Sequence, residues 1–173
     1  MTTNQPGMPK LYKTTGTTNQ YWETWEHRGV HTIHWGELGT KGQSKEIKSG
    51  FFKRAKSIVR KEMDEHIQAG YAAIDPENHF TLMIEYSVDG MGSADDVDKR
   101  TRLQGLMDET LGWTGLGHCD GGSIGSGTME VCCFVIDFDL AKMVVAESLA
   151  GTEFENHTRL YEENADQGSQ PGV

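Results

Sequence analysis

The chain has 173 residues, room for one ordinary domain or two small ones. No apolar run approaches the roughly 18 residues of a membrane-spanning helix, which excludes a helical membrane protein. The net charge of −10 is unevenly spread: 11 basic and 8 acidic residues leave +3 on residues 1–75, and 5 against 18 leave −13 on residues 76–173. Two surfaces of opposite character are therefore expected, and any contact with nucleic acid must be local to the first half.

Residues 1–9 are expected to be a polar tail. The stretch Met1–Gly7 lacks a charged segment followed by an apolar one, so no secretory signal is read there. LYKTT (11–15) and YWETWEH (21–27) have the Thr, Tyr and Trp content of strands. Arg28-Gly29 offers a tight turn and VHTIHW (30–35) returns, completing a hairpin. Glycines 36, 39 and 42 then break regular structure and are expected to keep backbone amides accessible.

Phe51, Phe52, Ala55, Ile58, Val59, Met63 and Ile67 recur at helical spacing and predict a helix over 51–69. Ser49 is its candidate N-cap and Gly70 its terminator. The other side carries Lys53, Arg54, Lys56, Arg60 and Lys61, a basic face open to solvent or to a partner. Asp75-Pro76-Glu77-Asn78 marks a domain boundary, because proline disfavours helix in the residue before it. Domains are thus expected at 10–75 and 76–163.

The second region reads strand (79–86), helix (94–111), strand (113–125), strand (129–138), helix from a cap at Asp139 to Ala150, and a short edge strand (157–163). Ser93 and Asp96 resemble a capping box, and Gly112 is expected to end the first of these helices. This βαββαβ order is that of ferredoxin-like folds, which makes the class α+β. Residues 164–173 are expected to be a disordered tail.

Candidate chemistry is sparse. Cys119, Cys132 and Cys133 show no CxxC spacing, and neighbouring strand residues such as Cys132 and Cys133 face opposite ways. Buried free thiols in a reducing cytoplasm are expected. His31 and His34 fall on opposite faces of a strand, which argues against a shared metal site. Consecutive His118, Cys119 and Asp120 point apart and cannot form a triad alone. The glycine run at 115–127 lacks the Gly-Lys-Ser/Thr of a Walker loop and precedes a strand, not a helix. No catalytic residue, metal or cofactor is assigned from these patterns.

The most informative stretch is WGELGTKGQSKEI (35–47), with an aromatic hairpin before it and a helix ending in Gly70-Tyr71 after it. Over residues 10–72 this resembles the WGR domain, a module of poly(ADP-ribose) polymerases and assorted bacterial proteins. Trp35, Gly36, Gly39, Thr40, Lys41, Gly42 and Gln43 match its Trp-Gly signature and Gly-x-x-Gly-Gln run. The third signature position, an arginine in the family, is Glu37 here. The resemblance implies a WGR-like antiparallel sheet with one long helix. It also implies a role in engaging DNA or RNA ends, with Trp35 stacking or packing. The arginine's role does not carry over, since glutamate repels the phosphate that a guanidinium would bind.

Three readings stay open. In the first, the chain is a non-catalytic binding module. Trp35, Gly39, Lys41, Gly42, Gln43, Lys45, Lys48, Lys53 and Arg54 would engage nucleic acid or another polyanion weakly, and the acidic half would engage a protein. In the second, it is a protein–protein adapter without a nucleic-acid role. In the third, it is a small-molecule binder or enzyme using the loop 115–127.

Overall fold

The computed structural model describes residues 9–48 and 52–163, with the side chains of Phe52 and Lys53 not described. The candidate cap Ser49, the expected helix start at Phe51, the expected tail 164–173 and all but Pro9 of the expected tail 1–9 lie outside these residues. The class is α+β, and the chain divides into two compact units. One comprises residues up to Pro76 together with Trp113–Gly115. The other comprises Glu77–Gly112 and the residues from Leu116 onward.

The first unit is an antiparallel sheet of four strands in chain order, β1 (Lys10–Thr15), β2 (Thr18–His27), β3 (Val30–Glu37) and β4 (Gln43–Lys48). Helix α1 (Phe52–Gln68) follows. The registers Trp22↔Trp35 and Glu23↔His34 fix which side chains share a face. One face buries Leu11, Trp22 and Ile33, with Trp35, Ile47, Val59, Met63 and Tyr71 packed against them. Burying apolar surface of this kind contributes about 25 cal/mol per Å².

Strand β4 was not anticipated. Its sequence, QSKEIK, contains one apolar residue, and it lies at the sheet edge with only Ile47 half-buried. The expected apolar stripe of α1 is also narrower than its periodicity suggests. Ala55 is buried, whereas Ile58 and Ile67 are exposed at its flanks. His66 takes the last packing position instead, its ring stacked on Trp22 at 5.1 Å and edge-on to Tyr71 at 4.9 Å. The helix closes with Tyr71 N–H donating to the His66 carbonyl across Gly70, whose φ of +93° only glycine adopts without strain.

The second unit has strands β5 (Phe80–Ser87), β6 (Gly117–Gly125), β7 (Thr128–Val135) and β8 (Arg159–Glu162). Helices α2 (Ala94–Trp113) and α3 (Phe138–Leu149) connect them. The sheet order β6-β7-β5-β8 is antiparallel throughout, so each helix crosses over one intervening strand, as in the ferredoxin-like arrangement. Leu82, Ile84 and Tyr86 of β5, Met129, Val131, Cys133 and Val135 of β7, and Leu103, Met107, Leu111, Ala141, Val145 and Leu149 of the helices are buried.

Three expectations are corrected in this unit. Helix α2 does not stop at Gly112: it runs through Trp113 and closes with Leu116 N–H on the Leu111 carbonyl, the left-handed turn residue being Gly115 at φ +73°. Residues 113–116 are consequently not strand. The cap of α3 is Asp137 and not Asp139, because Asp137 has extended backbone angles and its carboxylate accepts from Leu140 N–H at 3.0 Å. Ser93 and Asp96 do form the reciprocal pair of a capping box, at 2.8 and 3.2 Å.

Candidate functional site

The turn between β3 and β4 borders an open groove of about 620 Å³ in the first unit. Trp35, Glu37, Lys41 and Gln43 line it from the strand ends and turn, and His66 and Tyr71 from the end of α1. Trp35 is half-buried. Its side chain packs against the helix-side core, the residue also lines the groove, and the Lys45 ammonium lies 5.7 Å from its ring centroid. Tyr71 donates its hydroxyl hydrogen to Gln20 at 2.8 Å, and Lys13 lies 5.7 Å over the Tyr71 ring.

The glycines of this turn serve close packing. A Cβ on Gly36 would lie 2.6 Å from the Gly42 Cα, and one on Gly42 would lie 2.3 Å from the Trp35 carbonyl oxygen and 2.4 Å from the Tyr21 hydroxyl. The accessible amides expected of these glycines are in part already used. Gly39 N–H donates to the Thr114 carbonyl at 2.9 Å, and Leu38 and Thr40 N–H donate to Asn19 and Glu37 carbonyls. Gly39 therefore holds the turn in place and offers no amide to a ligand.

Beneath the turn, on the sheet face away from α1, lies a buried polar network that the sequence reading did not anticipate. His34 is fully buried. Its Nδ1 is 2.7 Å from Glu23 Oε1, and its Nε2 is 2.8 Å from the Lys41 carbonyl oxygen and 2.9 Å from the Tyr21 hydroxyl. The Tyr21 hydroxyl donates to the Thr40 carbonyl at 3.1 Å. Lys10 reaches the other Glu23 oxygen at 3.2 Å. Trp25 and Trp113 set their rings edge-on to His34 at 6.0 and 4.9 Å.

Burial by itself disfavours charge on His34. The hydrogen bonds to Glu23 and to the Lys41 carbonyl, with the attraction of Glu23, outweigh it against the opposing charge of Lys10, so the pKa is raised above the usual histidine value. Burial also raises the Tyr21 hydroxyl, with Glu23 adding to the effect. The signal in the sequence was the alternation Tyr21-x-Glu23-x-Trp25. It points three functional side chains to one face, but the partner position, His34, is fixed only by the hairpin register.

The proposed contact residues are not all brought together. Trp35, Lys41, Gly42 and Gln43 line the groove. Lys45 is held at its side by an ion pair with Glu62 at 2.6 Å. Lys48, an odd number of residues from Lys45 in the same strand, faces the opposite side of the sheet. Arg54 is exposed near the start of α1, and the Lys53 side chain lies outside the described residues. His31 and His34 do stand on opposite faces, and among the described residues no group of three or more His, Cys, Asp or Glu side chains is placed to hold a metal ion.

The glycine run 115–127 forms the approach to β6, that strand itself and the β6–β7 turn. A Cβ on Gly117 or Gly122 would lie 2.0 or 2.2 Å from β7 carbonyl oxygens, so these glycines admit the neighbouring backbone. Cys119 is buried opposite Cys133, with His118 and Asp120 exposed on either side of it in β6. All three cysteines are free thiols. Among the described residues, no helix is long and apolar enough to cross a membrane. Neither the family models, the curated proteins nor the solved structures compared with this chain yield a match.

Proposed function

We propose that the first unit is a WGR-like, non-catalytic binding module that engages a polyanion, most directly a nucleic-acid end, in the groove beside Trp35. One observation supports this reading: Trp35 and Tyr71 line the groove together with Lys41 and Gln43, and the Lys45 and Lys13 ammonium groups lie 5.7 Å from the centroids of the Trp35 and Tyr71 rings. A base or ribose against an aromatic face contributes about 1–3 kcal/mol when stacked. A lysine within reach of the adjoining phosphate adds a contact that salt weakens. Glu37 lines the same groove and opposes phosphate, so binding is weak and confined to low salt.

The test is fluorescence anisotropy of the full chain with labelled single-stranded and blunt duplex DNA and RNA at two salt concentrations. The reading expects saturable binding at low salt that Lys41→Ala weakens several-fold, with the log–log salt slope reduced by about one. Flat titrations at low salt remove it.

A second reading, a protein adapter, is favoured by Glu37 and by the exposed side chains of Met91 and Val97 near Asp89, Asp95 and Asp98 in the acidic unit. It expects capture of a basic protein that is lost when those aspartates are neutralised. Capture indifferent to them counts against it.

A further inference from the structure

The two ring nitrogens of His34 both face acceptors. Nδ1 meets a Glu23 carboxylate oxygen at 2.7 Å, and Nε2 meets the Lys41 carbonyl oxygen at 2.8 Å. A neutral imidazole has one N–H and one lone pair. A neutral ring protonated on Nδ1 keeps the Glu23 bond and can accept the Tyr21 hydroxyl hydrogen on Nε2, but it sets that lone pair 2.8 Å from the Lys41 carbonyl oxygen; one protonated on Nε2 sets its Nδ1 lone pair 2.7 Å from the Glu23 carboxylate, in a fully buried site. Only the imidazolium donates to both. The Tyr21 hydroxyl fits the same state, donating to Thr40 while its oxygen accepts part of the Nε2–H.

We propose that His34 is a proton-dependent latch whose imidazolium ties the turn Thr40–Gly42 to Glu23, and that loss of the ring proton releases the turn that walls the groove. The groups around the ring support it element by element. Strand β1 brings Lys10, which pairs with Glu23, and Tyr12, whose hydroxyl is engaged by the Gly115 carbonyl at 3.0 Å. Strand β2 brings Tyr21 and Glu23, and β4 places Ser44 opposite His34 in register. The turn contributes the Lys41 carbonyl, while the Lys41 side chain is exposed; the segment 113–115 contributes the Trp113 ring. Glu23 is thus the sole anion in hydrogen-bond contact with the ring among the described residues.

His34 acts here as a positioning residue, since it touches the turn's backbone and not the groove's contents. The consequence for binding rests on the groove being the binding site, but the latch does not. Deprotonation leaves the Lys41 carbonyl without its donor, and the turn's amides then exchange faster with solvent.

The experiment follows the His34 ring nitrogens by NMR, and hydrogen exchange at Thr40, Lys41 and Gly42, across pH 5–10 in the full chain. One common midpoint, above the usual histidine value of about 6.5, is expected in the wild type. Glu23→Gln keeps the acceptor and removes the charge, and should lower that midpoint by about one unit or more. Lys10→Gln removes an opposing cation and should raise it. Turn amides indifferent to the ring's titration overturn the latch, as does a wild-type ring titrating at its usual value or a midpoint unmoved in both variants. A labelled oligonucleotide titrated in parallel separates the two ideas. Absence of binding at every pH retires the groove as a nucleic-acid site, while the latch stands or falls on the ligand-free measurement.

Discussion

Gly42→Ala is the substitution that most severely tests the account of the β3–β4 turn. Gly42 has φ +57°, and an alanine Cβ there would lie 2.3 Å from the Trp35 carbonyl oxygen and 2.4 Å from the Tyr21 hydroxyl. The left-handed backbone alone costs an L-residue about 1–2 kcal/mol, partly offset by the stiffer unfolded chain. The clash adds to this. Moving the Tyr21 hydroxyl aside weakens its bonds to His34 and Thr40, each contributing about 1 kcal/mol, and overpacking costs about 1–3 kcal/mol more. The expected loss is about 3–4 kcal/mol.

Gly16→Ala is the control. Its φ is +63°, yet nothing lies within 4 Å of the added Cβ, so about 1 kcal/mol is expected. Gly36→Ala is the converse, with no positive φ but a Cβ 2.6 Å from the Gly42 Cα. Urea unfolding followed by tryptophan fluorescence reads all three. A Gly42→Ala chain as stable as Gly16→Ala would refute the argument that these signature glycines serve packing.

Other predictions follow from the same geometry. Because the His34 pKa is raised by Glu23 and the Lys41 carbonyl against the cost of burial, its stabilisation is fully present below the unfolded value of about 6.5. It is lost as pH rises through the higher folded value; His34→Gln should remove that slope from the melting temperature measured against pH. Cys119 and Cys133 are buried, and burial first, with Glu163 and other acids, pushes Cys132 up to about 11. Maleimide should therefore label none of the three rapidly at pH 7 until urea unfolds the second unit, as intact-mass analysis would show. Asp137→Ala should cost about 1 kcal/mol through the lost α3 cap, whereas Asp139→Ala should not; urea midpoints distinguish them.

Much of this architecture was legible because periodicity survives in it. The alternation Leu82, Ile84, Tyr86 and the run Met129–Val135 locate the central strands of the second unit, and the hairpin at Arg28-Gly29 sets the register of the first. Strand β4 was not legible, because an edge strand exposed on both sides carries almost no apolar signal. One helix stop and one helix start fall a few residues from where the sequence places them. Gly112 tolerates the helix that Gly115 ends, and Asp137 outcompetes Asp139 as cap because its backbone is extended.

The candidate site divides in the same way. Trp35, Lys41 and Gln43 stand out by their order in the chain, and they border one groove. Lys45 and Lys48 look equivalent in the sequence, but strand alternation sends them to opposite faces and an ion pair engages the first. The Tyr21–Glu23–His34 network depends on register and on the return of the turn over the sheet, neither of which a residue list contains. Glycines 39 and 42 looked like ligand-facing positions, and their contacts show a turn folded tightly onto Tyr21 and Thr114.

The salt dependence of duplex binding by Glu37→Arg tests the proposed groove most directly. At about 6 Å in water-like surroundings, one carboxylate costs an approaching phosphate about 0.7 kcal/mol, and a guanidinium in its place returns a similar amount. The account predicts binding about tenfold tighter than wild type at low salt, with a log–log salt slope steeper by about 0.9, so the advantage shrinks about threefold over a fourfold rise in salt. Identical affinities and slopes for the two chains would contradict it.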